Sequence, residues 1–457
     1  MTKVYSKKFW IIFWSVAIIF LASWYGFWQV KNTAPNFGSM SAMIDFLPLD
    51  ALKKAKFKTM ASFAEYLFQK DGEEKTFMLM FQNNMELRPG GGYIGSFGIL
   101  KMKDGHVETL QTHDLSNFDG RVPNGIAPPY PIRETLRVSD WKLRDSNFSP
   151  DFPTNAKKVE EFYKLGQGQE EFSGIVAINS NVLMSFLRAT GPIELPGYPG
   201  TYDSENAVLT LEQQVEKNYN DQGIKLGERK SVMNDLAIEI EKKVFTLSIM
   251  QKIKLAEIIL EDLNRKDIQL YFKDADLEQK AQSAQWDGSV NQNWSGDYLM
   301  LVDANLGALK SDYYMRRSFN YTVDLSGETP SVHLMVTYVH GAKQKDWMTK
   351  DYLTYLRVYT PSGSWLTDTK NLGEKKFGDD LGKKYFGTLV GVPLGQTKTV
   401  EFFYTLPPSA ADNYDLLIQK QSGSGVVVGE VNVIYKSQNK VSYKIDLSKD
   451  WKLSENQ

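Results

Sequence analysis

Residues 75–113 read KTFMLMFQNNMELRPGGGYIGSFGILKMKDGHVETLQTH. Lys75–Gln82 is a near-continuous apolar run of strand length, the pattern of a strand covered on both faces. Ile94–Lys103 and His106–His113 read as two more strands, and Asp104-Gly105 between them is a strong hairpin signal. Downstream lies a polar, Gly-rich stretch from Asp114 to about Asp151. A helix over Thr154–Leu165 follows Pro153, then a strand Gly174–Ile178, a helix Asn181–Ala189, a turn at Gly191-Pro192 and a strand Ile193–Leu195. Leu236, Ile240, Val244 and Leu247 mark a long helix that runs, with a break, to about Asn264. Strands near Ile268–Phe272 and Tyr298–Val302 complete the series. This alternation predicts a mixed, layered α/β domain over 73–305.

After about Leu306 the helical pattern stops. Short alternating segments recur at Met315–Leu325, Ser331–His340, Tyr352–Thr360, Thr397–Leu406, Tyr414–Gln419, Val426–Tyr435 and Ser442–Ile445. Seven strands without helices predict an all-β sandwich over 306–450, with 451–457 as a tail. Upstream, 31–72 reads as a juxtamembrane linker and a helix with Phe57, Met60, Ala64 and Leu67 on one face.

Phe9 to Val30 carries no charge. Twenty-two helical residues reach roughly 33 Å, enough to cross a hydrocarbon core of about 30 Å. Lys3, Lys7 and Lys8 precede this span, so 1–8 is expected in the cytoplasm and the bulk of the chain outside it. The other reading is a cleaved signal peptide, but its apolar region is usually only about 7–15 residues. Ala22-Ser23-Trp24 is also a poor cleavage site. The expected location is therefore a bacterial cytoplasmic membrane, crossed once by an uncleaved anchor.

Composition narrows the chemistry. At 457 residues, 42% hydrophobic and 24% charged, the chain is neither disordered nor collagenous. A net charge of −2, from 53 basic and 55 acidic side chains, argues against nucleic acid as a partner. There is no cysteine, which excludes disulfides, thiolate metal sites and cysteine nucleophiles, and only four histidines. Reactions are left to Asp, Glu, Arg, Lys, Ser or Tyr.

Two stretches carry candidate sites. In Arg88-Pro89-Gly90-Gly91-Gly92, three glycines allow an anion-cradling backbone and Arg88 a bidentate phosphate ligand. The alternative is a tight connection whose arginine makes an internal ion pair. In HDLSNFDG and RDSNFSPDFP, Asp114, Asp119, Asp145 and Asp151 are candidate ligands of a hard cation, or else helix caps and Asx-turns. Arg229 and Lys230 open the long helix as added positive charge or as a solvated face.

In order, NNMELRPGGGYIGSFGIL, DGHVETLQTHDL, RDSNFSPDFP and FSGIVAINSNVLMSFLRATGPIEL resemble an uncharacterised bacterial family of membrane-anchored envelope proteins, a domain of unknown function of the DUF4012 type. More distantly, the layout is similar to the LytR-CpsA-Psr family, which transfers glycopolymers from a polyprenyl pyrophosphate carrier with the aid of Mg²⁺. That resemblance implies a LytR-CpsA-Psr-like α/β fold with Arg88, Asp114 and Arg229 as catalytic residues. Gly90, Gly91, Gly92 and Arg144 would bind substrate, and Asp114, Asp145 and Asp151 would hold Mg²⁺, the one cofactor left open. This chain departs from that family's pattern at His113, where an arginine is expected, and at Phe97/Gly98, where an acidic residue is. The expected partners are the cytoplasmic membrane and either a polyprenyl pyrophosphate lipid or a cell-surface polysaccharide. Two functions stand at this level: handling of a surface glycopolymer or its lipid carrier, as a transferase in the enzymatic form, or a non-enzymatic surface protein that binds glycan or protein.

Overall fold

The computed structural model describes residues 44–45, 49–224, 231–410 and 414–454. The segments 1–8 and 9–30, and Arg229 with Lys230, lie outside the described residues. Among the described residues no helix is long and apolar enough to cross a membrane. The chain divides into two compact units, each assembled from separated stretches. One takes residues up to Phe81 with Ser96–Asp114 and Gln169–Asp287; the other takes Gln82–Gly95, Leu115–Gly168 and everything from Gly288. The linear division at 305/306 expected from the sequence is therefore replaced by an interleaved one.

The first unit is the α/β layer. Helix α1 (Ala51–Phe68) starts where the Asp50 side chain accepts from Lys53 N at 2.8 Å, and it buries Met60, Ala61, Phe63 and Ala64. Strands β1 (Glu74–Asn83), β2 (Tyr93–Lys103), β3 (His106–Asp114) and β4 (Gly174–Asn179) follow, then the short pair β5 (Ile193–Glu194) and β6 (Thr201–Tyr202), then β7 (Ile268–Phe272). The main sheet runs β3-β2-β1-β4-β7. β1 is its central strand, and all residues from Lys75 to Gln82 are buried, which is why its apolar run does not alternate. β2 and β3 form the expected hairpin; Asp104 and Gly105 have φ of 50° and 79°, the left-handed pair a type I′ turn needs.

Helix α2 (Phe152–Leu165), in the second unit, is capped by Asp151 and carries Pro153 in its first turn. In the first unit α3 (Asn181–Thr190) ends at Gly191. The predicted break in the long helix is real. α4 (Ser231–Thr246) stops, and a capping box between Ser248 and Gln251 starts α5 (Ile249–Asn264), followed after β7 by α6 (Ala275–Ala284). Leu236, Ile240, Val244, Leu255, Ile259 and Leu263 line the core of this unit together with Phe77, Leu79 and Trp286.

In the second unit the strands are β8 (Asp297–Val302), β9 (Met315–Asp324), β10 (Ser331–His340), β11 (Tyr352–Pro361), β12 (Trp365–Lys370), β13 (Lys375–Asp380), β14 (Lys383–Val392), β15 (Thr397–Thr405), β16 (Asp415–Ile418), β17 (Val427–Ile434), β18 (Lys440–Leu447) and β19 (Trp451–Ser454). They build two six-stranded sheets, β12-β15-β10-β9-β17-β18 and β13-β14-β11-β8-β16-β19. Tyr321, Leu334, Val400 and Phe402 of the first sheet share one core with Leu356, Val358, Phe386 and Leu416 of the second. The arrangement is sandwich-like, as expected, but richer than seven strands.

Three differences have clear causes. β8 was expected to complete the α/β layer; instead it pairs antiparallel with β11 and parallel with β16, because a buried apolar run does not name its neighbour. β12 (WLTDTK) and β13 (KKFGDD) are edge strands, so exposure and charge hide their alternation. Residues 451–454, read as a tail, pair with β16 as β19.

Candidate functional site

The Arg88 turn joins β1 to β2, and its polar groups face inward. Arg88 is 5% exposed. Its Nε donates to Asp145 Oδ1 at 2.9 Å, its Nη1 to Asn305 O at 2.7 Å, and its guanidinium lies 5.3 Å from the Tyr93 ring. Burial alone would lower the Arg88 pKa, but Asp145, with Glu86, outweighs it and the net shift is upward. The adjoining backbone is held as firmly. Leu87 N donates to Asp312 Oδ2, Asn305 N to Leu87 O, and Gln421 Nε2 to Arg88 O.

The glycines close this joint and do not cradle an anion. Gly90 N donates to Asn147 O and Gly91 N to Arg88 O, while Asn147 Nδ2 reaches Gly92 O at 2.7 Å. A Cβ on Gly92 would stand 2.6 Å from the Asn83 carbonyl, and one on Gly90 would overlap the Asn155 side chain. Glycine is required here for close approach of chain to chain.

The carboxylates read as Mg²⁺ ligands have other work. Asp145 holds Arg88. Asp151 Oδ2 accepts from Thr154 N and Thr154 Oγ1, and its Oδ1 accepts from Val290 N at 2.9 Å, so one oxygen caps α2 and the other ties it to a distant segment. Asp114 ends β3 opposite Ser96 and belongs to the other compact unit. Arg144, read as substrate-binding, pairs through Nε with buried Asp119. Burial raises the Asp119 pKa, against the pull of Arg144. His113 stacks on Phe97 at 4.8 Å between ring centroids. Among the described residues no group of three or more His, Asp or Glu side chains is placed to share a metal. The set does not fit a shared Mg²⁺. Of the predicted residues, the structure brings together Arg88, Gly90, Gly91, Gly92 and Asp145 within the second unit, where Asp151 caps α2.

A different surface is open. On the first six-stranded sheet, side chains alternate between the core and the outer face, and register places one outward row across all six strands: Asp368, Phe403, His333, Thr322, Asn432, Ser442. The next row is Lys370, Glu401, Met335, Asn320, Glu430 and Lys444. The His333 ring stacks on Phe403 at 4.3 Å and its Nε2 lies 2.8 Å from Glu401 Oε2. Lys370 sits over the same Phe403 ring at 5.1 Å. Ser442 Oγ donates to Asn432 Oδ1 at 2.6 Å, and Asn432 Nδ2 reaches Asn320 Oδ1 at 3.3 Å. At the edge, Trp365 faces outward opposite Thr405 and is 71% exposed. Five inter-strand spacings make this face roughly 24 Å wide.

The model of a family described as "Protein of unknown function (DUF4012)" matches residues 72–215. The likeness to that family is confined to this segment. No curated protein matches the chain. Among solved structures, gbs0355 of Streptococcus agalactiae aligns over 49% of this chain and 76% of its own, at 15% identity and a TM-score of 0.29. Lin1025 of Listeria innocua aligns over 47% and 79%, at 15% identity and a TM-score of 0.26. Scores this low carry no argument about fold or activity.

Within the DUF4012 segment, both signature stretches are tied to residues far beyond its end. Arg88 meets Asn305 and Gln421; Phe148 O accepts from Arg357 Nη2, and Asp151 from Val290 N. The signatures are joints of the second compact unit. The residues of the open face were missed from the sequence, although a signal existed. In Thr397–Thr405 (TKTVEFFYT) the core takes Val400, Phe402 and Tyr404, which leaves Phe403 as an aromatic at an outward position.

Proposed function

We propose that this protein is a membrane-anchored, outward-facing envelope protein that binds a surface glycan, without transferring it, on the outer face of the β12–β18 sheet. One observation carries the reading: a row of aromatic, imidazole, hydroxyl and amide side chains crosses six strands in register, with Trp365 exposed at its edge. Sugar rings present C–H faces that pack on aromatic rings, and hydroxyls that both donate and accept. Asn320, Thr322 and Ser442 offer both capacities on one plane, held by the buried Asn432 amide between them. The uncharged span Phe9–Val30 behind Lys3, Lys7 and Lys8 supports the anchor and the outward placement.

The α/β unit is read as a LytR-CpsA-Psr-like scaffold without the transferase chemistry. A pyrophosphate carrier needs an arginine able to turn its fork to the ligand, and Arg88 directs that fork to Asp145 and Asn305. The test uses full-length protein in detergent, titrated calorimetrically with fragments of the surface polysaccharide. The reading expects binding that is lost in a Trp365→Ala, Phe403→Ala double variant whose unfolding is unchanged. It is overturned if the parent binds no glycan fragment. It is also overturned if purified protein carries a polyprenyl phosphate, seen by mass spectrometry, that Arg88→Lys releases without loss of stability.

A further inference from the structure

Buried arginines in this chain usually meet carboxylates. Arg88 has Asp145, and Arg317 has both Asp303 and Asp312. Arg357 does not. It is 8% exposed, lies within β11, and forms no ion pair among the described residues. Its Nη1 donates to Tyr359 OH and its Nη2 to Phe148 O, each at 2.9 Å, both neutral acceptors. Its Nε–H is buried with no partner. The guanidinium lies 5.3 Å from the Phe148 ring and 5.6 Å from the Tyr359 ring, which offsets part of the cost of burying the charge but leaves the Nε–H without an acceptor.

What surrounds Arg357 is a set of donors. In register it stands beside Gly387, and Gly387 stands beside Lys376. The hydroxyl of Tyr355 lies over Gly387, and the ring of Tyr385 lies over Gly378. Two carboxylates are near and both are engaged: Asp380 accepts from Tyr359 OH at 3.0 Å, and Glu374 pairs with Lys376. Lys383, 2% exposed, is a second buried cation on the same sheet without an ion pair, donating to the carbonyls of Gln292 and Trp294. Burial therefore lowers its pKa. Tyr385 and Lys376 are half-buried, so the β13 edge is the side from which a ligand reaches Arg357.

We infer that Arg357, with the hydroxyls of Tyr355 and Tyr385, forms a site for a small oxyanion, a carboxylate or phosphate group, on the outer face of the β13–β19 sheet. The Nε–H and the second Nη2 hydrogen on the same edge make the fork that takes two oxygens of such a group. The site is independent of the glycan face, which belongs to the other sheet.

The experiment is thermal unfolding of the full chain in detergent, titrated with inorganic phosphate or with glucuronate at constant ionic strength, with chloride as the control. Calorimetric binding is measured in parallel. The parent protein is expected to gain Tm with at least one of the two anions and not with chloride. A response to phosphate alone assigns a phosphoryl ligand, and a response to glucuronate alone a carboxylate. Arg357→Lys keeps the charge but loses the fork and is expected to weaken binding by about tenfold or more. Should that variant fold poorly, Tyr385→Phe removes one hydroxyl and is expected to weaken binding several-fold with Tm unchanged in chloride. Stabilisation by neither anion overturns the site, as does binding that both variants leave intact.

Discussion

The Arg88 turn and the outer face of the β12–β18 sheet are both rich in polar groups, yet they are opposites. At the turn, the groups named above turn to partners inside the protein: guanidinium to carboxylate, glycine N–H to carbonyl, asparagine Nδ2 to backbone, with only Asn147 Oδ1 left over among them. On the sheet, His333, Phe403, Glu401 and Lys370 lean on one another side by side while their outward edges stay accessible. The difference teaches that a conspicuous motif marks where a fold is constrained, while function is better sought where polar groups keep capacity to spare.

Breaking the turn should give the largest effect. Arg88→Ala leaves Asp145 with a buried, unpaired charge and is expected to cost about 3–5 kcal/mol in equilibrium unfolding by urea. If stability is unchanged, the turn is not the closed region described. The next effect concerns a buried acid in the sandwich core. Asp297 accepts from Tyr321 OH, Tyr414 OH and Tyr298 N, yet burial outweighs these and pushes its pKa up to about 6. Between the ordinary carboxylate pKa and about 6 the folded state holds the extra proton. Stability should thus fall as pH rises from about 4 to about 6, by roughly 3 kcal/mol, and stay lower above that. Asp297→Asn should flatten this dependence; an unaltered pH profile would rule Asp297 out as its source.

Gly92→Ala probes close approach alone, since no charge changes. Its Cβ would press on the Asn83 backbone, and about 1–3 kcal/mol of destabilisation is expected by thermal unfolding. The smallest change in stability is expected on the open face. Trp365→Ala should alter unfolding by no more than about 0.5 kcal/mol while removing glycan affinity. A large loss of stability there would show that Trp365 is structural, and the contrast between the two regions would dissolve.

Local signals made much of the α/β unit legible. The continuous apolar run of β1, the Asp104-Gly105 hairpin and the cap at Asp151 each act within a few residues of chain. The partner of β8 was not legible, because Val302 meets Arg357 across 55 residues of sequence and nothing in DYLMLV specifies which sheet accepts it. The role of Arg88 was half legible. RPGGG fits a phosphate nest and a buried joint equally well, and the deciding fact is that Asp145, 57 positions on, faces the guanidinium. The open face was illegible for another reason: it exists only when six strands align, so no single segment displays it.

The interleaved second unit also sets an order of events in time. Gln421 closes the hydrogen bond to Arg88 O from 333 positions further along the chain. At roughly 5–20 residues per second of synthesis, Arg88 waits roughly 17–67 s for that partner to exist. During that interval an arginine, its glycines and the neighbouring strand edges stand incomplete, open to proteases and to wrong pairings. The joint at Arg88 is thus completed only by a segment made 333 positions later.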